Sequence, residues 1–385
     1  MEKLASPPCS ITDCHIHYAH PGLMPELIKL CDDVDIDRFN IVCTPHQQRM
    51  SLIPDALHLK SHHPERVFVF GGLDVSIWFT AGEQAGELFA QYVDTLIDLG
   101  CDGIKMIEGK PQMRKGLPIL PFDSEVLESY WEKVEQTRFP VLFHLNDPQE
   151  FWIKDEVPAW AVERGWFYGD GSYVHFETQY AEVLNVLSRH PTLKIIFAHF
   201  MFLSNDLPRL ADYLDRYPNI SVDLTPGIEM YLNFSKKPDE SRAFFERYQD
   251  RILFGTDVGA RALLDSSGEG IDTEESRQRV YLICRFLEHQ QAFQLGGDSG
   301  FLFGNSVETI LPLGLPNSIL EKIYYTNFKR FAGNLPRPLN NPAISRECER
   351  LTDTMASMAA VRNNEESDSA VARQMAIFFR EKADQ

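Results

Sequence analysis

The chain has 385 residues, 44% of them hydrophobic and 11% aromatic, which supports a large buried core and excludes a disordered protein. Its 56 acidic and 37 basic residues leave a formal net charge of −19. That balance favours solubility and excludes a nucleic-acid partner, which needs clustered Lys and Arg.

No apolar run approaches the length of a membrane span, and the opening Met1-Glu-Lys-Leu-Ala-Ser-Pro-Pro lacks the apolar core of a secretion signal. The cysteines at positions 9, 14, 31, 43, 101, 284 and 348 are scattered, odd in number and form no Cys-x-x-Cys pair. This usage argues against a disulfide framework and for a reducing compartment. A cytoplasmic protein with no membrane partner is expected.

Taken in chain order, eight short apolar runs read as buried parallel strands. They are Ser10–His17, Phe39–Thr44, Arg66–Leu73, Cys101–Ile107, Phe139–His144, Leu193–His199, Ile220–Thr225 and Arg251–Asp257. Helical periodicity fills the intervals at Glu26–Asp32, Pro54–His62, Glu83–Leu99, Ser124–Thr137, Thr178–Arg189, Leu207–Tyr217, Asp239–Tyr248 and Thr273–His289. Eight strand–helix repeats predict an α/β fold, a closed (β/α)8 TIM barrel spanning residues 1–335. After the fifth strand, an insertion at about 146–177 holds Phe151, Trp152, Trp160, Trp166, Phe167 and Tyr168. An aromatic loop of that length suits a substrate wall or lid, and equally an aromatic minicore. Pro316–Phe331 reads as an amphipathic helix, and residues 336–385 as a helical C-terminal extension.

Five ligand-type residues close these apolar runs: His15 and His17, His144, His199 and Asp257. Alternate residues of a strand project to one side, so His15 and His17 face the same way. A lone His-x-His is ordinary in a chain with 12 histidines, and a single His after an apolar run is more often a hydrogen-bonded core residue. Their shared position at the C-terminal strand ends, where a barrel builds its active site, is what points to a common divalent ion. Imidazole and carboxylate accept zinc, and manganese too. Five donors exceed the four that close a structural zinc site, which favours catalysis.

The segments Asp13-Cys-His-Ile-His17, Gly103-Ile-Lys105, Val141-Leu-Phe-His144, Ile195-Ile-Phe-Ala-His199 and Ile252-Leu-Phe-Gly-Thr-Asp257 together resemble the amidohydrolase superfamily. More narrowly they resemble its amidohydrolase 2 branch, which includes aminocarboxymuconate-semialdehyde decarboxylase and related metal-dependent hydrolases. The resemblance spans residues 9 to 333, including the late helix at Leu320. It implies that His15, His17, His144 and Asp257 bind metal. It implies that His199 ligates a second ion or holds the reacting water. Lys105 falls where some members carry a carboxylated lysine bridging two metals, so one or two ions are expected. Lys105 can also be an uncarboxylated substrate anchor, or simply reach solvent.

The leading expectation is hydrolysis of an amide, lactone or ester of a small molecule by a metal-activated water, with Asp257 accepting the proton and His199 orienting the water. The first alternative is nonoxidative decarboxylation of a small aromatic or unsaturated acid. That substrate needs fixed cations, for which Arg49, Lys105, Lys110, Arg114 and Arg261 are candidates. Trp152, Trp166 and His175 complete the candidate substrate contacts. The second alternative is a non-catalytic, metal-containing barrel that binds a ligand. A homodimer is the candidate assembly.

Overall fold

The computed structural model describes residues 9–45, 50–227, 229–261, 270–296, 306–362 and 369–384, with the backbone alone for residues 358–362. The strands are β1 Ile11–His17, β2 Ile36–Val42, β3 Val67–Gly72, β4 Gly103–Gly109, β5 Val141–Leu145, β6 Ile195–Phe197, β7 Ile220–Asp223, β8 Ile252–Leu253 and β9 Val258–Gly259. All are paired in parallel, in the order β8-β7-β6-β5-β4-β3-β2-β1-β9. Both faces are buried, one by the barrel interior and one by the helical ring, which is why the runs are apolar throughout rather than alternating.

β8 and β9 are two pieces of one stave. β8 pairs with β7, β9 pairs with β1, and Phe254–Asp257 bridges them. The Cys14 N–H donates to Phe254 O at 2.9 Å and the Asp257 N–H to His15 O at 2.8 Å, so the ring is closed. The expected eighth strand, Arg251–Asp257, is therefore corrected: regular pairing stops at Leu253 and resumes at Val258. The sixth also ends early, at Phe197. The second begins at Ile36 rather than Phe39. An antiparallel pair, Phe293–Gly296 with Val307–Ile310, lies outside the expected pattern.

Inside the barrel, Cys14, Phe68, Phe70, Leu142, Ile196 and Leu253 pack together. Phe328, on the helix Asn327–Ala332, meets them with its ring 5.1 Å from Phe68, edge to face. The late helix around residues 317–332 is held to the broken stave: the Asn327 Nδ2–H donates to Ile252 O at 2.6 Å and the Phe254 N–H to Ile323 O at 3.0 Å.

The extension forms two helices, Asn341–Arg362 and Ser369–Ala383, packed on each other and against the helices Ile53–His62 and Ala85–Leu99. Its approach crosses the end of the barrel opposite the catalytic mouth. There Lys60 Nζ donates to Gly100 O at 2.7 Å and to Asp102 Oδ2 at 2.6 Å. The Val69 and Arg337 backbone N–H groups donate to the two oxygens of Asp102 at 2.8 and 2.7 Å. Gly100 has φ +88°, and a Cβ there would meet Pro338 O at 2.3 Å, so this crossing requires glycine.

One contact of the extension is pH-sensitive. The His58 ring lies 4.7 Å from that of Phe378, and burial, with His62 and Lys382 beside it, pushes the imidazole down to about 4. An unfolded histidine titrates near 6.5, so between about 6.5 and 4 the unfolded chain binds the extra proton and stability falls with pH. Thermal melts at neutral and acid pH should show a smaller acid-induced loss in His58→Gln than in the parent. Equal losses would remove His58 from the effect.

Each of the seven cysteines is free. Among the described residues, no helix is long and apolar enough to cross a membrane.

Candidate active site

The site is assembled at the C-terminal ends of the strands. Pairing along β1 shifts register between Asp13 and Ile16. A local irregularity of this kind re-aims side chains. It lets Cys14 join the interior packing while the next residue, His15, still reaches the residues of β4 and β7. His15, His17 and Asp257 come together: one ligand atom from each lies within 4.8 Å of the others. His17 Nε2 is 3.0 Å from Asp257 Oδ1, and His15 Nε2 is 3.8 Å from the same oxygen. Zinc bonds of about 2.0–2.1 Å at tetrahedral angles separate two donors by about 3.3 Å, so the spacing fits one ion.

Asp257 reaches this place because the eighth stave breaks. Its φ is +59°, a left-handed conformation uncommon outside glycine. Gly255 makes the approach possible. A Cβ there would meet Cys14 Sγ and the Thr225 hydroxyl, each at 3.0 Å. Burial pushes the Asp257 carboxyl up, but the His17 hydrogen bond and the nearby Arg261 and Arg279 outweigh it, leaving the group well below the usual carboxylate range. Arg279 and Arg261 stand 3.4 and 3.5 Å from Asp257 Oδ2, and both also pair with Glu275.

Burial disfavours the charged form of all four imidazoles. Burial drives His15 and His199 well below the ordinary value, lowers His17 and takes His144 down to about 4. A neutral ring keeps the lone pair that coordination requires. His15 Nδ1 is 2.9 Å from Asp223 Oδ2, with the Thr225 hydroxyl 3.1 Å away; an ionised carboxylate there accepts from Nδ1–H and leaves Nε2 as the acceptor. Asp223, at the end of β7, had no place in the sequence reading. The signal was available, since Ile220-Ser-Val-Asp223 is another apolar run closing on a ligand-type residue.

His199 and His144 stand one step outward from the triad. The His199 ring centroid is 5.8 Å from that of His15, and the His144 ring is 4.8 Å from His199. His199 leaves β6 through a left-handed turn, with φ of 53–57° over His199–Phe202. Backbone of this kind costs of order 1–3 kcal/mol per residue and persists only when its surroundings enforce it. Here the His199 N–H donates to Asp223 Oδ1 at 2.8 Å and Tyr180 donates to Met201 O at 2.7 Å. His199 Nδ1 is buried and has no hydrogen-bond partner. A buried ring nitrogen left unpaired beside His15, His17 and Asp257 calls for an explanation beyond packing.

Lys105 projects from β4 into this cluster, with Nζ 3.1 Å from His15 Nε2. It is 1% exposed, so it does not reach solvent. Burial takes its ammonium down to about 8.

The insertion joins the site through Asp147. That carboxylate accepts from Lys110 at 2.9 and 3.0 Å, from the Tyr168 hydroxyl at 2.7 Å and from His144 Nε2–H at 3.3 Å. Behind it, Trp152 and Phe151 pack on Tyr168, Trp166 packs on Phe151, and Lys110 lies 5.1 Å from the Trp166 ring. Trp152 is buried and Trp166 partly so. His175 is exposed, and its Nδ1 accepts from the Glu177 N–H, capping the helix Phe176–Arg189. Arg49 lies outside the described residues.

A closed eight-stave barrel with imidazoles and a carboxylate converging at the C-terminal mouth defines a barrel enzyme of metal-dependent type. A family model described as amidohydrolase matches residues 72–331, and the chain belongs to that family of metal-dependent enzymes acting on small molecules. No match to a curated protein sequence was found. Among solved structures, a Staphylococcus aureus protein assigned as an amidohydrolase is similar at 16% identity with a TM-score of 0.53, over 84% of this chain and 100% of that one. An uncharacterised TIM-barrel protein from Bordetella bronchiseptica matches at 13% identity with a TM-score of 0.52, over 85% and 99%. A 2,6-dihydroxybenzoate decarboxylase solved with 2,6-dihydroxybenzoate matches at 14% identity with a TM-score of 0.50, over 84% and 98%. These likenesses show the shared fold.

Proposed function

We propose that this enzyme hydrolyses an amide, lactone or ester bond of a small molecule with the help of one divalent ion, zinc or manganese. The observation that carries this reading is the convergence of His15 Nε2, His17 Nε2 and Asp257 Oδ1 beside the unpartnered Nδ1 of His199. When bound, the ion supplies Lewis acidity, polarising a carbonyl oxygen and acidifying water. Asp257, ionised at neutral pH, accepts the proton of the attacking water at its carboxylate and returns it to the leaving group. His199 Nδ1 orients that water or the developing oxyanion. The aromatic insertion meets the site beside His144, through Asp147 and Tyr168.

Hydrolysis is favoured over decarboxylation by the charges at the mouth. Lys110 is held by Asp147, Arg114 by Glu182, and Arg261 and Arg279 by Glu275 and Asp257. Among the described residues these cations are already neutralised, whereas a carboxylate substrate requires one to spare. Lys105 supports the second reading, decarboxylation, because its ammonium lies beside His15 and could face a substrate carboxylate. It also supports a second ion, if the neutral amine takes up carbon dioxide as a carbamate.

Metal-stripped protein reloaded with zinc or manganese, with and without bicarbonate, should cleave members of a panel of amides, lactones and esters. Carbon dioxide release from aromatic acids, with no hydrolysis, would transfer the assignment to the second reading. A bicarbonate-dependent gain in activity and in bound metal would mark Lys105 as carboxylated.

A further inference from the structure

We infer that Asp223 is a positioning residue that sets two histidines of the site at once: the tautomer of His15 and the backbone of His199. The inference rests on the proposed metal-binding role of His15, His17 and Asp257. Asp223 ends β7 and is fully buried. Its Oδ2 accepts His15 Nδ1–H at 2.9 Å. Its Oδ1 accepts the His199 N–H at 2.8 Å and the Thr225 N–H at 3.1 Å. No other carboxylate among the described residues makes hydrogen bonds to both of these histidines.

The two bonds do different work. A carboxylate can only accept, so the proton of neutral His15 is drawn to Nδ1 and the lone pair is left on Nε2. Nε2 is the atom that points toward Asp257. An imidazole with the opposite tautomer would present N–H where a lone pair is needed. The bond from His199 N–H anchors the first residue of the left-handed turn, whose φ values place the ring between His15 and His144. One side chain therefore fixes which atom His15 offers and where His199 stands.

Asp223→Asn separates this role from simple space-filling. Asparagine has the same shape, and its carbonyl oxygen still accepts the His199 N–H. Its amide then turns an N–H toward His15 Nδ1, which favours the ring with its proton on Nε2, the Thr225 hydroxyl being the one acceptor left near Nδ1. Zinc affinity, measured by competition with a chromophoric chelator, should fall by about 10–100-fold in Asp223→Asn, the usual loss for an outer partner of a ligand histidine. The visible absorption of cobalt-loaded protein should change with it. Zinc affinity within about twofold of the parent, with an unaltered cobalt spectrum, would overturn the inference.

His15→Ala distinguishes the two levels of the argument. If it binds zinc as the parent does, the metal-site reading fails and takes this inference with it. If it loses zinc while Asp223→Asn does not, only the inference fails. A measurement on the unaltered chain guards against a variant that does not fold. With ¹⁵N-labelled histidine, and His15→Gln for assignment, His15 should show a protonated Nδ1 and an unprotonated Nε2, and the reverse pattern would overturn the tautomer assignment.

Discussion

Asp257→Asn is expected to fold, to retain part of its metal affinity and to lose turnover by about 10²–10⁴-fold on whichever panel substrate the parent cleaves. The amide matches the carboxylate in shape and keeps an oxygen for coordination, but it cannot accept a proton at neutral pH. Its neighbours also constrain the outcome. The carboxylate faces His17 at 3.0 Å, Arg279 at 3.4 Å and Arg261 at 3.5 Å, and these hold it ionised. Arg279 and Arg261 keep their bonds to Glu275 at 2.8 and 2.7 Å, so the variant leaves neither arginine stranded. Steady-state kinetics with elemental analysis of bound metal would decide the matter. Turnover near that of the parent, with metal bound, would take the proton-transfer role away from Asp257.

The largest effect on stability is expected at the opposite end of the barrel. Lys60→Met should destabilise the fold by about 3–5 kcal/mol, because it leaves the buried Asp102 carboxylate without its counter-charge. Lys60 and Asp102 are both fully buried and 2.6 Å apart. The same carboxylate accepts the Val69 and Arg337 N–H groups, so one ion pair ties a crossover helix, the start of β4 and the approach to the C-terminal extension. Replacing both partners, Lys60→Met with Asp102→Asn, should recover part of the loss, since no buried charge is left unpaired and the amide oxygen still accepts one of the two backbone N–H groups. Denaturant melts of the parent, the single variant and the double variant measure the coupling. A single variant no less stable than the parent would show that the pair is neutral to stability.

The barrel and the residues gathered at its mouth were legible for a common reason. Strands buried on both faces need unbroken apolar runs, and the polar residue that ends such a run marks the mouth. His17 and His144 followed this rule directly. Asp223 obeyed it too and was overlooked, because Leu224-Thr225 continued the apolar pattern and made the acid look internal to a strand. The backbone around His199 and Asp257 could not be read in this way. Left-handed conformations of non-glycine residues are imposed by partners distant in sequence, here Asp223 and Tyr180 for the one and the break between β8 and β9 for the other. Pairings such as Lys60 with Asp102, or Tyr168 with Asp147, likewise join separate elements and have no local pattern. The charged candidates at the mouth illustrate the same limit. Lys110, Arg114 and Arg261 stood out as cations, but each is committed to an acid that only the folded chain brings near.

The split last stave has a mechanical meaning. Its two pieces are two residues each, the shortest in the ring, and the acid of the site hangs in the gap between them. Sealing the cask and loading the acid are a single event. Local opening of that joint, with the other seven staves still paired, is expected to draw Asp257 away from His17 before the fold as a whole is lost.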